Sequence, residues 1–277
     1  QIYLAFAADG STATPSLADS FETQTWTGNN AVRTIPYNFK PDLWFAKNYT
    51  ATNGYGHYWS WVDSVRGGNS VIYSNATNAA NNNLSGTGSD AISFVNAGVT
   101  INTSGSNGYN ENAFGFAGYA FKAGGGTPSI NTDGSITSLV SANQAAGFSV
   151  VKYTGDGNAS TVGHGLDIAP EMYIVKSLST GNWWTYHSGL NGGVNPSHYF
   201  IRLDLSNAES FNASSGGSIF NSTEPTSTVF SGGTSINTSN DFIAYCFTSI
   251  SGYSKVGSYT GNGNVTGPTI TTGFQTN

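Results

Sequence analysis

The chain has 277 residues, with nine Lys or Arg against fifteen Asp or Glu and a formal net charge of −6. The basic residues are scattered singly, so no patch exists to neutralise a phosphate backbone and nucleic acid is excluded as a partner; no apolar run approaches the roughly 18 residues of a spanning helix, so membrane insertion is not expected. Charged residues make up only 9 % and aromatics 13 %, which describes a folding chain with a neutral, hydrogen-bonding surface rather than a disordered one.

The first expected element is a strand, Tyr3-Leu4-Ala5-Phe6, and its phrase returns as Tyr119-Ala120-Phe121 and Tyr245-Cys246-Phe247. An aromatic-Thr-Gly step follows each copy: Trp26-Thr27-Gly28, Tyr153-Thr154-Gly155 and Tyr259-Thr260-Gly261. Repetition at domain-sized intervals marks tandem units rather than the short repeats of a solenoid. Cys246 stands where the other copies carry Ala5 and Ala120, which makes it a small buried residue without a disulfide partner.

Between these marks two units keep one order. Pro41-Asp42-Leu43-Trp44-Phe45-Ala46-Lys47 answers Pro170-Glu171-Met172-Tyr173-Ile174-Val175-Lys176, Tyr58-Trp59-Ser60-Trp61 answers Trp183-Trp184-Thr185-Tyr186, and Val71-Ile72-Tyr73-Ser74 answers Tyr199-Phe200-Ile201-Arg202. Helical periodicity is almost absent; short β-branched and aromatic runs such as 148–153, 172–175, 199–205 and 241–247 are separated by Gly, Asn and Ser turns. The expected fold is all-β: two tandem antiparallel β-sandwiches of jelly-roll kind, residues 1–123 and 144–277, joined by a Gly/Ser/Asn-rich connection at 124–143.

On this division the chain opens on the closing strand of one unit and stops after the opening strand of another. Three arrangements fit: a piece of a longer array, a domain whose start is the Tyr-x-Ala-Phe strand, or strands exchanged between subunits. In the last, Tyr3, Leu4 and Phe6 would pair with Lys255 and Tyr259 of a neighbour, since an unpaired strand templates another.

No cofactor or metal motif is found. His57, His164, His187 and His198 lack metal-ligand spacing, and His164 in Gly163-His164-Gly165 reads as a turn histidine bonded to backbone. Asp9, Asp63, Asp133, Asp156, Asp167 and Asp204 would serve a glycosidase only if two faced each other in a cleft, and nearly all sit beside turn residues. The aromatic doublets carry more information, because neighbouring side chains on a strand point to opposite faces. Tyr58 and Trp59 cannot both be core, nor can Trp183 and Trp184; one ring of each doublet is expected on the outer face, stacked on sugar, packed on a neighbouring subunit, or covered by a loop or the other domain.

With these phrases the chain resembles a tandem-repeat domain family of marine bacteriophage tail-fibre-like and structural virion proteins. The marks are Asp63-Ser64-Val65-Arg66-Gly67, Tyr153-Thr154-Gly155-Asp156-Gly157, Val162-Gly163-His164-Gly165-Leu166 with Ala169-Pro170, and Asp241 to Phe247 leading into Gly257-Ser258-Tyr259-Thr260-Gly261. The first unit has Ile35-Pro36-Tyr37-Asn38-Phe39-Lys40 in place of the Val-Gly-His-Gly-Leu turn. The resemblance implies a non-enzymatic fibre, tail or capsid-decoration module on the virion surface or outside the cell, associating with itself or other virion proteins. The alternative is a carbohydrate-binding adhesin that takes a host surface glycan; a glycan hydrolase ranks last.

Overall fold

The computed structural model describes residues 1–6, 20–50, 58–82, 91–102, 109–212 and 218–274. After β1 (Ile2–Phe6) come β2 (Phe21–Thr27), β3 (Arg33–Pro36), β4 (Leu43–Asn48), β5 (Ser60–Asp63), β6 (Ile72–Tyr73), β7 (Ile92–Val95), β8 (Gly98–Ile101) and β9 (Gly115–Phe121). Then follow β10 (Ser129–Asn131), β11 (Ser138–Asn143), β12 (Phe148–Thr154), β13 (Ser160–Gly163), β14 (Met172–Ser177), β15 (Trp183–His187), β16 (Tyr199–Arg202), β17 (Ser210–Phe211), β18 (Val229–Gly232), β19 (Asp241–Phe247) and β20 (Ser254–Ser258). Among the described residues the only helices are single 3-10 turns.

The same sheet is built twice. A five-stranded sheet in the order β2-β9-β4-β5-β6 is matched by β12-β19-β14-β15-β16 within an eight-stranded sheet. Each main sheet is faced by a smaller one, in which β3 pairs with β8 and β13 with β18. Registers agree too: Phe21 pairs with Phe121 and Trp26 with Phe116, as Phe148 pairs with Phe247 and Tyr153 with Phe242. The glycine of the aromatic-Thr-Gly step has one reason in both units. Its N–H donates to Phe114 O or Asn240 O (2.8 and 2.9 Å), and a Cβ on Gly28 or Gly155 would lie 1.9 Å from the carbonyl oxygen of Glu111 or Thr238.

The third written copy is also a third structural copy. β1 and β20 pair antiparallel with Phe6 opposite Ser254, and the ladder runs on to Gln1 and Tyr259, which exchange backbone hydrogen bonds of 3.0 and 2.8 Å. That is the register of β9 with β2 and of β19 with β12. The strands expected to pair between subunits, those of Tyr3, Leu4 and Phe6 and of Lys255 leading to Tyr259, therefore pair with each other within one chain, and β1 belongs to this ribbon rather than to the main sheet of the first unit.

Among the described residues side-chain alternation sorts most buried apolar side chains into three large cores, with a small fourth cluster around Ala146 and Tyr253. Trp26, Trp44, Val62 and Phe116 pack against Ile35 and Val99 inside the first sandwich; Tyr153, Tyr173, Tyr186 and Phe242 pack against Val162 and Phe230 inside the second. The opposite faces of the two main sheets meet in a third core that includes Leu43, Trp61, Phe121, Phe148, Ile174, Trp183 and Tyr245, with Ile2, Leu4 and Phe6 at its margin. The stack is small sheet, main sheet, main sheet, small sheet, with the ribbon beside the middle.

Two expectations need correction. Residues 124–143 are not only a connection: β11 pairs with β12 along its whole length and buries Val140 in the second core, so the linking stretch shrinks to the glycines at 124–126. The aromatic doublets are also aligned one residue differently. β4 places Phe45 opposite Trp61 and Leu43 opposite Asp63, while β14 places Ile174 opposite Thr185 and Met172 opposite His187. Trp59 thus corresponds to Trp183, Trp61 to Thr185, and Ile72 to Ile201; one residue of slip reverses every facing.

Candidate functional site

The seam between the main sheets holds most of the chemistry. At the end of β5 the carboxylate of Asp63 accepts from Arg66 Nε at 2.6 Å, from the Arg66 backbone N–H at 2.8 Å and from Tyr245 Oη of the other unit at 2.8 Å. Arg66 also donates to Ser70 Oγ (3.1 Å), Trp61 O (3.1 Å) and Tyr245 Oη (3.4 Å). The side chains of Arg66 and Asp63 are 2 % and 0 % exposed. Burial pushes the Tyr245 phenol well above its ordinary pKa, and the Asp63 carboxylate adds to the rise. Charges removed from water need such saturation by partners.

Around this pair the seam is aromatic. Trp61 lies 5.2 Å from Tyr245 and 5.5 Å from Trp183 between ring centroids. Trp183 reaches back into the first unit, where its indole N–H donates to Tyr73 O (2.8 Å) and Ala76 O (3.1 Å). Phe121 stands 5.3 Å from Phe148, 6.0 Å from Phe247 and 5.4 Å from Phe6, so the closing-strand phenylalanines of all three copies meet at one point.

The acidic residue after each proline has a distinct role. Asp42 is fully buried; it accepts from the backbone N–H groups of Ala123 and Gly125 (both 2.8 Å), from Ser64 Oγ (2.7 Å) and from Ser141 Oγ (3.0 Å). It therefore ties the exit of β9 to the first strands of the second unit. Glu171 accepts from Ser249 N–H at 2.6 Å at the exit of β19. The repetition of Pro followed by Asp or Glu signalled these two residues, yet only the geometry assigns them to the turn after the closing strand.

Of the aromatic doublets, the structure brings Trp59 and Trp183 to the inner face. Trp183 is completely buried, which removes it as an open ligand contact; its face is covered by the other unit. Trp184 packs against the second core beside Phe200 (5.0 Å) with the Arg202 guanidinium 5.7 Å from its ring. Tyr58 is 46 % exposed and lies 4.9 Å from Tyr73.

The polar candidates are engaged locally. His164 is buried, its Nδ1 accepts from Leu166 N–H and its Nε2 lies 3.1 Å from Thr226 O, and burial holds its pKa below the ordinary value. Asp156 accepts from Asn158 N–H, Ser160 and Asn237, while Asp204 pairs with Arg202 and accepts from Trp183 N–H. Asp167 accepts from Gln144 and Asp133 from Asn131. Cys246 is fully buried in β19, and its thiol is pushed up to about 12 by desolvation. His57 and Asp9 lie outside the described residues. Among the described residues no three His, Cys, Asp or Glu side chains are grouped to hold a metal ion, and no helix is long and apolar enough to cross a membrane.

One family matches this architecture along almost its whole length, residues 16–277: a domain of unknown function, DUF7483. The chain belongs to that family. No curated protein and no solved structure matches it. The DUF7483 match covers both sandwiches and β20 but begins after β1.

Proposed function

We propose that this chain is a non-enzymatic structural component of a bacteriophage virion, a fibre, tail or capsid-decoration module on the particle surface. The observation that carries the reading is the seam: two repeated sandwiches locked by an aromatic core and by the buried Asp63–Arg66–Tyr245 set. Such packing suits a part whose task is rigid shape. The polar side chains are used in turns and seams, and the low-charge surface suits lateral contact with like surfaces. The virion setting rests on the resemblance of the repeat phrases to tail-fibre-like proteins.

Immunogold labelling of purified particles with antibody raised against this chain tests the reading. Regular labelling at one particle location is expected. Protein found only in the particle-free fraction overturns it.

A second reading, a glycan-binding adhesin, is favoured by one feature. Tyr58 and Tyr73 form an aromatic pair open to solvent on one side, with Asn75 accepting from Trp59 N–H beside it. Exposed rings flanked by amides suit neutral sugars. Glycan-array binding that disappears in Tyr58→Ala with the fold intact would move this reading to first place.

A further inference from the structure

Among the described residues β2 is the longest strand that keeps an open edge: the five-stranded sheet ends at β2, and no described strand lies beyond it. Its even-numbered residues bond to β9, as Lys122 N–H to Ser20 O (2.9 Å) and Gly28 N–H to Phe114 O (2.8 Å) show at its two ends. The N–H and C=O groups of Phe21, Thr23, Thr25 and Thr27 therefore point outward. Among the described residues their one partner is Arg33, whose Nη1 donates to Thr27 O at 2.8 Å.

The second unit covers the same edge with its own chain. Phe148, Val150 and Lys152, the counterparts of Phe21, Thr23 and Thr25, stand opposite Asn143, Ser141 and Leu139 of β11, and β10 lies outside β11. Burial follows the cover: Val150 is fully buried, whereas Thr23 and Thr25 are exposed. This position in the fold takes an antiparallel strand, and in the first unit no described residue supplies one.

β2 also lacks the devices that keep strand edges apart. It has no proline, lysine or arginine and pairs with β9 residue by residue without a bulge. Its one charge, Glu22, already accepts from Gln24 Nε2 (2.7 Å) and Asn38 N–H (2.8 Å). Other open edges are guarded or short: β3 carries Arg33 and Pro36, β6 and β17 have two residues each, and β10 has three.

We propose that β2 is a homodimer edge, pairing antiparallel with β2 of a second copy of this chain about a two-fold axis at Gln24. The strand fits itself in that register. Thr23 stands opposite Thr25 of the partner subunit and Phe21 opposite Thr27 of the partner subunit, so the outward groups of each strand face those of the other. Cross-strand threonine pairs are favourable, and Glu22 stands opposite Trp26 of the partner subunit, so no charge meets its like. The contact is isologous and closes at two copies, joining the two five-stranded sheets into one. An unrelated partner would need an open strand edge of its own, and the second copy brings one of equal length. The pairing rests on this edge alone, so it holds or fails whether or not the chain resides in a virion.

Sedimentation equilibrium and cysteine trapping of the full chain test it. A reversible monomer–dimer equilibrium in the micromolar range is expected. Gln24→Cys should give a disulfide-linked dimer under mild oxidation, because paired residues at such an axis lie about 4.5 Å apart between Cα atoms, within the span of a disulfide. Ile130→Cys, at a position 74 % exposed on β10, gives the rate of random collision, and the buried Cys246 takes no part. Thr25→Pro removes an outward N–H, spares the bonds to β9, and should weaken dimerisation roughly tenfold or more with the circular dichroism spectrum unchanged. Thr23→Lys combined with Thr25→Lys, both at exposed positions, sets like charges directly opposite each other and should leave only monomer. A chain that is monomeric at every concentration, trapping of Gln24→Cys no faster than of Ile130→Cys, or a dimer that persists in the double lysine variant overturns the proposal; if Thr25→Pro disturbs the fold, the lysine variant decides.

Discussion

Tyr245 donates its phenolic proton to Asp63 across the seam at 2.8 Å, although the two residues belong to different sandwiches. The oxygen it reaches, Oδ2, also receives Arg66 Nε, so the phenol completes a charge pair withdrawn from water. In the second unit the counterparts of Asp63 and Arg66 are His187 and Leu190, both buried, beside the ribbon where Leu4 replaces Tyr245. The set has changed together, from ionic to mostly apolar.

That covariation sets the first prediction. Asp63→Asn or Arg66→Leu alone leaves an unmatched buried group and should destabilise by about 3–5 kcal/mol. Tyr245→Phe should cost less, about 1.5–3 kcal/mol, the range for one hydrogen bond to a charged group, since Asp63 Oδ2 keeps its bond from Arg66 Nε. The double variant Asp63→Asn with Arg66→Leu should lose clearly less than the two single changes added together. Urea unfolding monitored by tryptophan fluorescence measures all four; strict additivity would contradict the coupling.

The glycines of the repeat phrase supply the second. Gly28→Ala and Gly155→Ala each drive a methyl to 1.9 Å from a backbone oxygen, so the loop must move and about 1–3 kcal/mol should be lost. Gly267→Ala meets nothing within 4 Å and should stay within about 0.5 kcal/mol of the parent. Thermal melts of the three variants under one condition give the comparison.

Much of this was legible in the sequence, and the failures have physical reasons. The all-β class and the repeat followed from strand phrases whose partners recur with them: Phe121 with Phe21, Phe247 with Phe148. The alignment of Trp59-Ser60-Trp61 with Trp184-Thr185-Tyr186 failed because it matched aromatics by type, whereas Trp61 and Thr185 share a position and face different neighbours. The seam itself had a signal in β14, where Met172, Tyr173, Ile174 and Val175 run without alternation and all are buried. An unbroken apolar strand is covered on both faces, which for an antiparallel sheet means a further layer. Nothing in residue type alone could assign that layer to the other unit.

Cys246 offers a probe of cooperative opening. It is fully buried at a position where the other copies hold alanine, and its thiol is raised to about 12, so the reactive thiolate is scarce at neutral pH. Native protein should resist a thiol reagent, and labelling should begin only as urea unfolds the second sandwich. Rapid labelling without denaturant would show that β19 opens locally.

Stability should also depend on pH in a way traceable to Lys176. Its Nζ donates to Ser177 O and Ser179 O, but desolvation dominates and lowers its pKa from 10.5 to about 8, with Asp204 pulling the other way and Arg66 adding to the fall. Between about 8 and 10.5 the unfolded chain therefore binds more protons than the folded one, and stability rises with pH across that window. The buried phenols act oppositely. Tyr153, Tyr173 and Tyr245 are raised well above 10 by desolvation, so above pH 10 the unfolded chain loses protons that the folded chain keeps, and stability falls. At the acid end, burial lowers His164 and His187; below 6.5 the unfolded chain takes up their protons first and stability falls again. The Cys246 thiol, raised from 9 to about 12, adds to the alkaline fall from pH 9 upward, so urea midpoints measured from pH 5 to pH 11 should climb above pH 8, peak at about 9 and then drop. In Lys176→Met the climb should vanish while the drop above pH 10 remains; a climb that persists in the variant would assign it to another group.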